Sequence, residues 1–109
     1  MTAEPYLAIL YAFANPASSG DNAVVAAVSG RKIRVITWTV NNQAGTANSV
    51  KFRSAANDKT SLKALAANAT VAFAGSVWGP SFECNIGEAL NINLSAATAI
   101  GCDVAYQLI

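Results

Sequence analysis

Turn-forming residues punctuate this chain at short, regular intervals, and that spacing constrains its fold more than any other feature. Clusters of Gly, Asn, Ser and Pro recur roughly every eight to fifteen residues: Asn15-Pro16 through Gly20, Ser29-Gly30, Asn41 through Gly45, Asn57-Asp58, Gly75, Gly79-Pro80, Gly87, and Ser95 through Gly101. The segments between them are rich in Val, Ile, Thr, Phe and Tyr, residues that fit a half-buried pleated surface. About eight strands fit between the breaks, so the expected fold is all-β, an antiparallel β-sandwich of jelly-roll-like type. A chain of 109 residues has room for one hydrophobic core, and residues 1–109 are expected to form a single domain.

Alternation then assigns faces. Val50 and Phe52 point one way while Ser49, Lys51 and Arg53 point the other, and Leu90, Ile92 and Leu94 oppose Ala89, Asn91 and Asn93. Cys102, Val104, Tyr106 and Leu108 share a face, and Phe82, Cys84 and Ile86 are expected to do the same, which turns both cysteines inward. In residues 32–40 the apolar phase slips by one, from Ile33 and Val35 to Ile36, Trp38 and Val40, as at a β-bulge or a strand that bends between sheets. Residues 6–13 are apolar on both faces, which predicts a cover on each side, the second being another subunit. Residues 61–69 fit either two turns of helix, with Leu62, Leu65, Ala66 and Ala69 on one side, or a crossing loop.

The chemistry available is sparse. Histidine is absent, and with it the commonest general base and metal ligand at neutral pH. Cys84 and Cys102 have no ligand set around them and read as buried hydrophobes or as a disulfide pair. Glu83 and Glu88 can be imagined as a glycosidase-like pair beside Trp78 and Phe82, against the plainer reading of two solvated carboxylates. No glycine-rich phosphate loop is present. The expectation is a non-enzyme with no catalytic residue, cofactor or metal.

The partner classes narrow in the same way. Seven basic and six acidic residues are scattered along the chain for a net charge of +1, too balanced to attract nucleic acid over a distance. The longest apolar run, residues 6–14, is less than half a bilayer crossing, so no membrane partner is expected. It has no Lys or Arg before it and Pro5 interrupts its start, unlike a secretion leader. Low charge with high apolar content favours assembly over a free monomer. Arg31, Lys32 and Arg34 cluster after the Ser29-Gly30 turn, with Lys51 and Arg53 as candidate neighbours, and offer a patch for an acidic surface, against the plainer reading of a solvated strand face that resists edge-to-edge aggregation. Of the aromatics, Trp38 and Tyr106 sit at core parity, which leaves Trp78, in the loop between Gly75 and Pro80, as the stacking residue a ligand can reach.

Residues 50–54, 65–68 and 104–108, Trp78 in its loop, and above all Gly87-Glu88-Ala89-Leu90-Asn91-Ile92-Asn93-Leu94-Ser95-Ala96-Ala97-Thr98 form a familiar pattern. With residues 30–35 included, it resembles small β-sandwich virion proteins of tailed bacteriophages, of the capsid decoration (cement) type, over roughly residues 23–109. The resemblance implies a homotrimer that binds the major capsid protein of the same phage on the capsid exterior, after assembly in the host cytoplasm. Tyr6, Leu7, Ile9 and Tyr11 are then the candidate contacts between copies, and Arg31, Lys32 and Arg34 the candidate contacts to the shell. A carbohydrate-binding or host-attachment module of a phage tail or head fibre, acting through Trp78, is the alternative. A Cys84–Cys102 disulfide would favour a third reading, a secreted or fimbrial β-domain.

Overall fold

The computed structural model describes residues 8–109. Its regular elements are all strands: β1 (Leu10–Ala14), β2 (Gly20–Val25), β3 (Ile33–Asn42), β4 (Asn48–Ser54), β5 (Asn57–Asp58), β6 (Lys63–Leu65), β7 (Thr70–Phe73), β8 (Phe82–Glu83), β9 (Leu90–Leu94) and β10 (Ile100–Leu108). They form two antiparallel sheets. One, the β3 sheet, runs β1-β10-β3-β7, with β8 also on β3; the other, the β4 sheet, runs β2-β9-β4-β5, with β6 also on β4.

Because β10 occupies one edge of β3, β7 and β8 must share the other; β5 and β6 share an edge of β4 in the same way. Each sheet therefore has four lanes, and the chain changes sheet at six of the nine connections between its strands, staying in one sheet only from β4 through β6 and from β7 to β8. This is a jelly-roll arrangement of an antiparallel β-sandwich, the fold class expected from the sequence.

The inner faces carry the alternating apolar residues, and these close into one core. Ile33, Val35, Trp38, Val40, Ile100, Cys102 and Val104 of the β3 sheet meet Val50, Phe52, Leu90, Ile92 and Leu94 of the β4 sheet, all buried. Phe52 is the bridge: its ring lies 5.3 Å from that of Trp38 and 5.6 Å from that of Phe82. Trp38 in turn stacks on Phe73 at 6.4 Å and donates its indole N–H to Ser81 Oγ at 2.9 Å, so its polar atom is satisfied despite burial.

The phase slip in β3 is a bulge at Ile36. Thr37 pairs with Ala105 and Val35 with Tyr106, which leaves Ile36 as an extra residue with no partner across the ladder. On one side of it Ile33 and Val35 face the core; on the other, Trp38 and Val40 do. Ile36 is buried but lies outside the core cluster, as expected of a side chain thrown to the other face.

Three expectations need correction. Residues 61–69 form no helix: Lys63–Leu65 pair with β4 as a short strand that buries Leu65 against the core, and Asn68 turns the chain at a φ of 60°. Ile86 is exposed, because β8 ends at Glu83 and the chain turns before it can continue the alternation. Lys51 and Arg53 do not join Arg31, Lys32 and Arg34, since β4 and β3 belong to different sheets and their outward faces point apart. Both cysteines are buried as expected, and both are free thiols.

Two consequences can be measured. Phe52→Ala removes the contact between the sheets and should lower the unfolding free energy by about 3–5 kcal/mol in urea melts. Burial pushes both thiols up, Cys102 to about 12. A raised thiol pKa stabilises the fold below the ordinary value of 9.0, and this contribution is lost as pH rises from there through about 12. Thiol reagents at pH 8 should therefore label neither cysteine until the protein unfolds; stoichiometric labelling of the native protein would contradict the packing.

Candidate functional site

The two outer faces of the sandwich differ in how far their polar groups are already satisfied. On the β4 sheet, Arg53 bridges Asp21 of β2 at 3.1 Å and Asp58 of β5 at 3.0 Å, and Lys51 pairs with Asp58 at 3.1 Å. Asn93 of β9 donates to Asp21 at 2.8 Å. The Asp58 carboxyl is held below its usual range, first by the hydrogen bond from Lys51. This face is a closed network of opposite charges, a solvated surface with few groups left to offer a partner.

The outer face of the β3 sheet is different. Register places Tyr11, Ala105 and Thr37 in one row across β1, β10 and β3, and Phe13, Asp103, Thr39 and Ala72 in the next, across β1, β10, β3 and β7. The small residues in the middle and the two rings at the β1 side leave a groove of about 200 Å³. Tyr11 and Phe13 are each 77% exposed although they sit mid-strand. Asp103 is the one acidic side chain among the described residues that has neither an ion pair nor a hydrogen bond. The rim strand β1, paired along one edge only among the described residues, also carries no charge, proline or bulge to discourage pairing along the other.

At the opposite edge of the same sheet the bulge in β3 has a second effect. β7 pairs with β3 up to Trp38 and β8 resumes at Val35, so the chain between them leaves the sheet where Ile36 protrudes. Gly75 packs directly on that point, where an added β-carbon would collide with the Ile36 carbonyl oxygen. Ser76 and Gly79 exchange backbone hydrogen bonds at 3.2 and 3.1 Å, and the N–H groups of Trp78 and Gly79 both donate to Ser76 Oγ. The exit is fixed by Ser81, whose N–H donates to Val35 O at 2.8 Å while its hydroxyl accepts from Trp38. A tight, well-anchored turn thus presents Trp78, which is 94% exposed. No charged residue occurs anywhere between Lys63 and Glu83.

The other residues expected at a site are scattered among structural tasks. Arg34 pairs with Glu83 at 2.9 Å across the β3–β8 ladder. Arg31 donates to the Leu108 carbonyl at 2.6 Å and ties down the end of β10. Lys32 alone of the cluster keeps an exposed side chain with no partner among the described residues. Glu88 accepts from Ser54 Oγ at 2.6 Å, from Asn85 and from Asn57; these bonds, the one from Ser54 foremost, hold its carboxyl below the usual range. The two glutamates thus have separate partners, Glu83 on the β3 sheet and Glu88 against the end of β4.

Amides that could have met sugar hydroxyls are also engaged. Asn42 donates to the carbonyls of Thr46, Leu65 and Ala66, and Asn48 donates to Ala96 O and Thr98 Oγ1, in both cases pinning loops to the sandwich. Tyr6 and Leu7 lie outside the described residues, while Ile9 and Tyr11 are both exposed. Sequence reasoning missed Phe13 and Asp103; the signal available was their outward parity in strands otherwise packed on the core.

A second cleft, of about 270 Å³, opens beside Asn48, Ser49 and Leu65, but its Asn48 side chain is already bonded within the chain. Among the described residues no cluster of His, Cys, Asp and Glu could hold a metal ion, and no helix is long and apolar enough to cross a membrane. The chain matches no protein-family model, and no curated protein matches it significantly.

The anchoring of the turn separates two substitutions. Gly75→Ala should destabilise the protein by about 1–3 kcal/mol, since the new methyl must displace backbone. Trp78→Ala should change stability by no more than about 0.5 kcal/mol, because the ring touches little of its own chain. Thermal melts of the two variants at concentrations low enough to keep the chain monomeric check the contrast.

Proposed function

We propose that this protein is a structural module of a larger assembly, acting as the bacteriophage capsid decoration proteins it resembles do. It binds the outside of a phage head shell as an oligomer, with the major capsid protein as its partner and a homotrimer as its working form. The observation that carries this reading is the contrast between the outer faces: one is saturated with internal ion pairs, while the other, beyond its single Arg34–Glu83 pair, exposes Tyr11 and Phe13 beside Asp103, a carboxylate with no partner among the described residues. A face of that kind signals a partner surface rather than a solvated exterior.

The mechanism follows from multivalency. Each copy makes a modest contact with the shell, and linkage within the oligomer raises the effective concentration of the remaining contacts. A stable contact of this class buries on the order of 1,200–2,000 Å². A cover that binds the expanded shell better than other states stabilises it by mass action alone. Of the cationic cluster, Lys32 is the residue free to meet an acidic shell surface; Arg31 and Arg34 shape the platform beneath it.

The alternative, a glycan-binding or host-attachment head acting through Trp78, draws on the extreme exposure of that ring. Its immediate surroundings, Val77, Gly79 and Pro80, supply no side-chain hydrogen bond to orient a sugar. Co-sedimentation with purified expanded shells separates the readings. Saturable binding is expected, weakened several-fold at low salt by Lys32→Glu. No binding to shells, together with a change in tryptophan emission on a glycan panel, would replace this reading with the alternative.

A further inference from the structure

We propose that copies of this chain associate head to tail, with Trp78 of one copy seated in the groove on the outer face of the β3 sheet of the next. This deepens the oligomer on which the proposed function rests, and it stands on three observations from different parts of the molecule.

The first is an anchor without a socket. Trp78 is 94% exposed at a turn held on both sides, and its indole N–H has no acceptor among the described residues. Large aromatics that are rigidly presented dominate protein contacts because little entropy remains to be lost when they are buried. The second is a socket without an occupant. The groove of about 200 Å³ lies below the ~300 Å³ at which pockets for drug-sized ligands begin, and suits a single large side chain. Tyr11 and Phe13 form one wall, Thr37 and Ala105 part of the floor. The third is polar complementarity: among the described residues Asp103, set in the groove beside Phe13, Thr39 and Ala105, is an acceptor without a donor, and the indole N–H is a donor without an acceptor.

Anchor and socket lie on the two edges of one sheet, Trp78 off the β7 and β8 edge and the groove at the β1 side. They are different surfaces of the same chain, so the contact between copies is heterologous. Such a contact closes into a ring when its rotation permits, and a trimer is the smallest such ring beyond a pair. The uncharged stretch between Lys63 and Glu83 lets this edge approach another copy without desolvating an ion.

Sedimentation equilibrium on the purified full chain tests this. The wild type should associate with rising concentration, and its tryptophan emission should shift to the blue as Trp78 leaves water. Trp78→Ala should weaken association at least about 30-fold, the loss of one hot-spot anchor, and Asp103→Ala about 10-fold. Asp103→Lys should also remain monomeric. A mixture of Trp78→Ala with Asp103→Lys should form pairs and stop there, because only one intact anchor and one intact groove meet. Equal masses for wild type and Trp78→Ala at every concentration, or a mixture that stays monomeric, would overturn the proposal. Lys32→Glu should leave the masses unchanged. A monomeric Trp78→Ala that still coats shells would count against the role of linkage in the proposed function while leaving the head-to-tail contact standing.

Discussion

One extra residue in β3 organises a whole side of this molecule. A ten-residue strand that kept strict alternation could not bury both Val35 and Trp38 on the same sheet face, because they stand an odd number of positions apart. The bulge at Ile36 restores the phase, and both halves of β3 face the core. At the same place it interrupts the neighbouring lane, so that β7 and β8 pair with β3 on either side of a gap. The chain crosses that gap as a tight turn, and Trp78 stands at its tip. Core packing and surface display are thus two results of one backbone irregularity, joined by the hydrogen bond from Trp38 to Ser81.

Electrostatics completes the division of labour between the sheets. Nearly every charge among the described residues has been spent inside the chain: Arg34 on Glu83, Lys51 and Arg53 on Asp21 and Asp58, Glu88 on the Ser54 hydroxyl. Surface pairs of this kind contribute little stability each. Their larger effect here is to leave the β4 face polar and self-satisfied, and to leave Lys32 and Asp103 as the charges with no internal partner among the described residues. Buried amides do comparable work in the loops, where Asn42 and Asn48 replace missing ladder bonds with side-chain bonds to backbone carbonyls.

Much of the architecture was legible in the sequence because it follows from period-two alternation and turn chemistry. The cores of β4, β9 and β10, the inward cysteines and the slip at Ile36 were all read from parity. Elements whose existence depends on tertiary pairing were not legible. Lys63–Leu65 becomes a strand because β4 offers an edge there, while its local leucines and alanines suit a helix equally well. Ile86 has the right parity for the core but falls after β8 has ended. The candidate site was half visible: the exposure of Trp78 followed from its glycine-flanked loop. Asp103, Phe13 and Tyr11 meet only through pairing of β1 with β10, which joins opposite ends of the chain. The basic cluster was visible as composition, yet which of its members are already engaged is a property of the fold.

The central claim is that the outer face of the β3 sheet is the working surface and the β4 face is not. Hydroxyl-radical footprinting of the protein, first diluted to the monomer and then assembled on shells, reads this side chain by side chain. The account predicts strong protection of Tyr11, Phe13 and Trp78 on assembly, with Leu62 and the outward residues of β4 and β9 oxidised as in the free protein. Unchanged oxidation of the three aromatics, with protection instead on the β4 face, would contradict it.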